Sequence, residues 1–285
     1  MTQFSSRSKF LIYFFAVAAL SSGAHAKEAG SPDLMSFANG GRVLAHPDFP
    51  AISSMSAGPL NLIDGSASTD WEGETGESVF VFELAETTEV HSIAFDTAGL
   101  NRDTKSAKDF IVEVSETSPT KGFSEVLGGL LKMAKNGQSF TFKHEERPTA
   151  QWVRLTILNN YGDDYTAFTG FHVFGKQLTQ TAALPDLTGK YMGGNGWGRL
   201  NITDSDSGVA GCYAYQQGEF DGVVDGRVLK IKMHQRADGQ RLDGLFQLMD
   251  NGELVGLVRN EGKSNLDFYA TYYSAEKESG KPNSC

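Results

Sequence analysis

Residues 61–71 read NLIDGSASTDW. Asp64-Gly65 is a turn pair, because glycine accepts the positive φ that a tight turn demands. The Thr69 hydroxyl can close such a turn by bonding to nearby backbone. Trp71 then arrives as a large apolar plug, suited to filling the end of a β-sandwich core rather than to serving as an exposed sugar platform. A polar turn that hands an aromatic plug to the chain behind it marks the entrance to a β domain.

Beyond Trp71 the chain has the alternation of half-buried strands. Residues 78–84 read SVFVFEL, 90–95 VHSIAF and 109–115 DFIVEVS. Residues 139–142 read SFTF, 151–158 QWVRLTIL and 171–174 FHVF. In QWVRLTIL, Val153, Leu155 and Ile157 face one way, and Trp152, Arg154 and Thr156 the other. Gly, Asn and Asp lie between the strands, as in a sandwich. One stretch stays open. Phe123, Val126, Leu127, Leu130, Leu131 and Ala134 follow helical spacing, but Gly128-Gly129 interrupts it, so a strand pair or irregular chain fits equally.

Five of these segments, in this order, resemble discoidin (coagulation factor 5/8 C-type) domains over about residues 58–176. They are NLIDGSASTDW, the strand at 78–84, AKDFIVEVS at 107–115, AQWVRL at 150–155 and YTAFTGFHVFG at 165–175. The resemblance implies a galactose-binding-like jelly roll that recognises carbohydrate, or sometimes lipid or protein surfaces, through loops at one end. It also implies a structural Ca²⁺ held by Asp64, Ser66, Thr69 and Asp70. The sequence departs from that pattern at Gly170, where many members have Glu; losing a carboxylate weakens a hard-cation site. The alternative is an Asp64 that only holds its own turn.

Upstream, Arg7 and Lys9 precede the apolar run FLIYFFAVAAL at 10–20, and Ala24-His25-Ala26 comes after it. That is the layout of a secretory signal peptide over 1–26, too short an apolar run to span a bilayer. The expected location is therefore periplasmic or secreted. No second long apolar run is found, so no membrane span is expected in the mature chain. Residues 27–57 read as an extended lead-in. The net charge is −10, and loss of Arg7 and Lys9 makes it −12; such a chain repels phosphate backbones, against nucleic acid as a partner. Cys212 and Cys285 are the two cysteines; in an oxidising compartment they can pair and pin the tail to a strand, or remain thiols.

Beyond a linker at 177–186, a second module spans 187–275, with a tail at 276–285. Eight candidate strands, 190–192, 199–203, 209–215, 219–224, 228–235, 242–249, 254–259 and 266–273, are separated by turn signals. Asp225-Gly226 and Asn251-Gly252 favour the turns that join antiparallel neighbours. The expected fold is all-β: a jelly-roll sandwich, then a small antiparallel meander closed or nearly closed into a barrel. Trp197 is expected to plug the barrel end.

Two polar loops of the first module carry the ligand candidates. One holds Asn101, Arg102 and Asp103; the other Asn160, Tyr161, Asp163 and Tyr165. Sugars need an aromatic face for their C–H bonds and polar groups for their hydroxyls, and loops on a rigid scaffold supply both. Ordinary turns with a pinned tyrosine are the plainer alternative. No nucleophile, metal-spaced histidine or phosphate-loop pattern is found, so no catalysis and no required cofactor are expected. The expected activity is non-catalytic binding of a glycan or cell-envelope component. An envelope protein as partner is one alternative; a small ligand in the barrel, among Phe220, Leu229, Phe246 and Tyr272, is another.

Overall fold

The structure is a computed structural model that describes residues 31–47, 57–180, 185–194, 197–205, 208–262 and 273–283. The signal segment 1–26 and Tyr272 lie outside these residues. The described chain is all-β apart from short 3-10 turns.

The first module is built on β3 (Ser78–Asp96). Its first half pairs antiparallel with β1 (Arg42–Ala45) and β7 (Thr149–Ile157). Its second half pairs with β6 (Gln138–Thr141) and β9 (Gly170–Gln177). β7 continues to β4 (Asp109–Ser115), and β4 to the edge strand β5 (Ser124–Leu130). β2 (Trp71–Glu74) and β8 (Tyr165–Phe168) form a separate pair. The two segments that read as independent strands, 78–84 and 90–95, are thus one strand whose register shifts between Glu83 and Thr88. The open stretch at 123–134 resolves as β5, whose residues are exposed or half-buried because nothing described pairs with its outer edge.

The core explains the alternation. Trp71 meets Phe80 edge-on at 4.8 Å, Phe82 stacks on Phe171 at 5.0 Å, and Phe95 touches Phe110 at 4.6 Å. Trp71 is 2 % exposed and packs as the plug expected of it. The lead-in expectation needs correction over its described part. Leu34, Met35 and Phe37 are buried in this core, and β1 is a strand of the sheet. The reason is apolar content: three large side chains within four residues find a hydrophobic surface to cover.

The second module is a closed eight-stranded antiparallel barrel. Its strands are β10 (Gly189–Gly193), β11 (Gly198–Ser205), β12 (Gly208–Tyr213), β13 (Gly218–Asp225), β14 (Val228–Gln235), β15 (Arg241–Leu248), β16 (Glu253–Asn260) and β17 (Tyr273–Glu278). Each pairs with the next, and β17 closes on β10. The closing strand lies further along than the expected 266–273, which falls mostly outside the described residues, and it takes in the start of the expected tail. Inside are Tyr191, Leu200, Ile202, Phe220, Leu229, Met233 and Phe246. Phe246 lies over Gly256, where a Cβ would come within 2.1 Å of the ring. Trp197 is 5 % exposed and stacks on Tyr213 at 4.6 Å, as a plug does. Cys212, on β12, is disulfide-bonded; Cys285 lies outside the described residues.

The modules share a core. Val255 and Leu257 face out of the barrel and belong to the sandwich cluster, with Leu245 and Met249 packed on it. Gln247, fully buried, donates from Nε2 to the carbonyls of Phe37 and Gly41 (3.1 Å each) and accepts from Arg42 Nε at 3.0 Å.

Candidate functional site: the loop end of the sandwich

The ends of β4, β5 and β7 bring three loops together. Asp109 opens β4, opposite Leu130 at the end of β5, and its carbonyl accepts from the Leu158 amide at 2.8 Å just past β7. The two candidate loops meet here. Arg102 Nη2 lies 3.0 Å from Asp163 Oδ1, Thr104 Oγ1 donates to Asp163 Oδ2 at 2.9 Å, and the Tyr161 amide donates to the Thr104 carbonyl at 3.1 Å.

Several expected ligand-binding residues are occupied by the protein itself. Asn160 is buried, and its Nδ2 lies within donating distance of the carbonyls of Asp163 (2.9 Å) and Tyr165 (2.7 Å), while its Oδ1 accepts from the amides of Gly162 and Asp163. It holds the loop and has no group left for a ligand, which corrects its assignment. The Asp163 side chain is 4 % exposed and serves Arg102, Thr104 and the Tyr165 amide; it too is structural. The Tyr161 hydroxyl donates to the Leu131 carbonyl at 2.5 Å, leaving its half-buried ring as the part that can touch a ligand, with Lys108 Nζ 5.6 Å from the ring centre. Tyr165 is half-buried beside Lys105, whose buried ammonium lies 2.6 Å from Glu72. Asn101, Arg102 and Asp103 stay exposed. Leu130 and Leu158, 55 % and 38 % exposed, flank Asp109 on the same end; in sequence they read as ordinary strand residues, and only the fold shows them at this end.

Three of the four expected calcium ligands, Asp64, Ser66 and Thr69, bond to one another within a single turn. Gly65 takes φ +79° as the turn requires. Asp64 Oδ1 accepts from the Ser66 amide at 2.7 Å and Oδ2 from the Thr69 hydroxyl at 2.8 Å. Ser66 Oγ is 2.9 Å from Ser68 Oγ, and the Asp70 carbonyl accepts from Asn61 at 2.6 Å. Burial pushes the Asp64 carboxyl up to about 7, against the lowering pull of those two bonds and of His172. A hard cation wants ionised oxygens turned toward it; these are turned into their own turn. Among the described residues no cluster of three or more His, Cys, Asp or Glu is placed to hold a metal ion.

The departure at Gly170 has a structural counterpart. A Cβ there would sit 2.8 Å from His172 Nε2 and 3.2 Å from Asp96 Oδ2. His172 bridges Asp33 Oδ2 (2.7 Å) and Asp96 Oδ2 (3.1 Å). Burial lowers the imidazole pKa, but the hydrogen bonds and charges of the two carboxylates outweigh it and raise it to about 9. At neutral pH a protonated histidine therefore stands where a glutamate would crowd it. In sequence His172 is an ordinary strand residue; Asp33 and Asp96 are far from it along the chain, so no spacing signal exists.

An antiparallel, sandwich-like β module with its loops gathered at one end is the class that this fold defines. Residues 64–177 match the model of the Sad1/UNC-like C-terminal family. The discoidin resemblance thus holds at the level of the shared galactose-binding-like fold. No curated protein matches the chain. Solved structures similar to the chain include a CBM32 module from Clostridium perfringens in complex with GalNAc-β-1,3-galactose, 15 % identical, covering 50 % of this chain and 100 % of that one, with a TM-score of 0.42. The C-terminal domain of a chitobiase from Bacteroides fragilis is 14 % identical, covering 49 % and 95 %, with a TM-score of 0.41. The family 32 carbohydrate-binding module of Streptococcus pneumoniae EndoD is 17 % identical, covering 51 % and 100 %, with a TM-score of 0.37.

Proposed function

We propose that the protein is a non-catalytic, exported binding protein that recognises carbohydrate on a cell-envelope or cell-surface component through the loop end of its sandwich. One observation supports this above the rest: Asn101, Arg102 and Asp103 are exposed side by side on a loop braced by the Arg102–Asp163 and Thr104–Asp163 contacts. Donors and acceptors fixed in advance lose little entropy on binding hydroxyls. The Tyr161 ring joins the same end through its amide bond to Thr104.

The test is a broad glycan array probed with residues 27–285, with and without chelator, and repeated with Arg102→Ala. We expect a carbohydrate signal that chelator leaves in place and that falls by about tenfold or more in the variant, the loss of one strong interface side chain. The fold should hold, because Asp163 keeps its bonds to Thr104 and the Tyr165 amide when the exposed Arg102 is removed. A blank array from folded protein sinks the proposal. Exposed Leu130 and Leu158 favour one second reading, a protein-interaction component of the envelope; a pull-down from envelope extract that Leu158→Asp abolishes is its signature.

A further inference from the structure

Where sandwich and barrel meet, a cleft of about 560 Å³ opens, lined by Arg42, Glu83 and Trp152 from one module and Arg227, Met249 and Asp250 from the other. Arg42 and Arg227 are 8 % and 9 % exposed. One carboxylate, Glu83, serves both: it lies 2.7 Å from Arg227 Nη1 and 3.7 Å from Arg42 Nη1. The floor therefore holds two guanidinium charges against one half-buried carboxylate, in a chain whose net charge is −10. Burial first, and then the neighbouring Arg42, push the Arg227 guanidinium down to about 10. The remaining counter-charge is Asp250, 3.3 Å from Arg42 Nη1, yet its side chain is 99 % exposed. It stands beside Asn251-Gly252, at a turn that water reaches freely.

The guanidiniums also have donors to spare. Each carries five N–H groups. Arg42 uses three, on Gln247, Asp250 and the Leu248 carbonyl. Arg227 uses three, on the Gly40 carbonyl, Glu83 Oε2 and the Glu83 carbonyl. Two remain on each. Trp152, half-buried and opposite Glu83 across β3 and β7, supplies an aromatic wall. Glu116 stands exposed at the rim as an acceptor.

We propose that this cleft binds an acidic saccharide, with the carboxylate of a hexuronate unit displacing Asp250 from Arg42 to lie between the two arginines, and the ring's C–H face lying on Trp152. A single negative charge balances the floor of two arginines and one glutamate, whereas a dianion such as phosphate leaves it one charge negative. Guanidinium and carboxylate match as planar, two-point partners. An aromatic face with acceptors around it suits a ring bearing hydroxyls, and the volume lies within the range of small-molecule sites. The site needs both modules and is separate from the loop end, so either can fail without the other.

The experiment is calorimetric titration of residues 27–285 with a galacturonate trimer. A neutral galactose trimer, inorganic phosphate and a short peptide ending in glutamate serve as the other arms. Arg42 and Arg227 are left intact because they join the modules; Trp152→Ala and Asp250→Asn are the variants. The acidic trimer should bind, and the neutral trimer should bind at least about tenfold more weakly, the equivalent of about 1.4 kcal/mol. Trp152→Ala should weaken binding by a similar factor, and Asp250→Asn should tighten it. Equal binding of the neutral trimer, preference for phosphate or the peptide, an untouched affinity in Asp250→Asn, or no binding at all overturns the proposal.

Discussion

The sandwich and the barrel solve the same packing problem in opposite ways. The sandwich fills its interior by ring on ring, with Phe95 held at 4.6 Å from Phe110 and 5.3 Å from Phe171. The barrel fills a narrower interior by setting a ring against an absent side chain, Phe246 over Gly256. One core is therefore most sensitive to removal, the other to addition.

The largest expected effect tests that contrast directly. Phe95→Ala should cost the sandwich about 3–5 kcal/mol, as deletion of a buried aromatic does. Gly256→Val should cost the barrel about 3 kcal/mol by overpacking, since the new Cβ has nowhere to go. Urea unfolding of both variants checks this; a Gly256→Val variant within about 0.5 kcal/mol of the parent would mean a barrel interior with slack, since that is the spread of inert surface changes.

Gln247→Ala comes next, and asks whether the modules are one cooperative unit. It removes two donations and one acceptance at the junction, leaving buried carbonyls and Arg42 Nε unpaired, at about 2 kcal/mol. Calorimetry should show a single transition moved downward. Two resolved transitions in the parent would break the shared-core picture.

The smallest effect separates the modules by where they keep charge. The barrel carries exposed ion pairs, as in Lys230–Asp225. The sandwich half-buries the Asp33–His172–Asp96 set. The folded pKa of His172 is raised to about 9 from 6.5, so its contribution to stability is complete below pH 6.5 and disappears as pH climbs through 9. Asp64, raised to about 7, likewise favours the folded state when protonated and withdraws that contribution as pH rises through 7. Denaturant midpoints should therefore fall from pH 6.5 to 9, and His172→Gln should flatten the decline. An equally steep decline in the variant would place the effect elsewhere.

The barrel is legible in the sequence because its topology is local. Each strand pairs with the next, so turn pairs such as Asp225-Gly226 carry nearly all the information. The sandwich strands can be seen there but not connected. AETTE at 85–89 reads as a polar break, yet Glu86 and Thr88 are buried and bonded, Thr88 Oγ1 donating to the Glu86 carbonyl at 2.9 Å, and the strand runs on. β1 is four residues long and owes its pairing to a partner far along the chain. At the loop end, residue type shows which side chains are polar, but not that Asn160 and Asp163 satisfy one another's loop. The cleft leaves one signal, the outward phase of Trp152 in QWVRLTIL. Arg42 and Arg227 belong to different modules, and only the fold makes them neighbours.

Leu34, Met35 and Phe37 precede the segment that resembles a known family, and Val255 and Leu257 lie beyond it, yet all five belong to one core. Portability is what this arrangement gives up. A gene fragment cut at 61–177 would keep every recognisable motif and lose the apolar partners at both ends, so here the recognisable unit is smaller than the unit of folding.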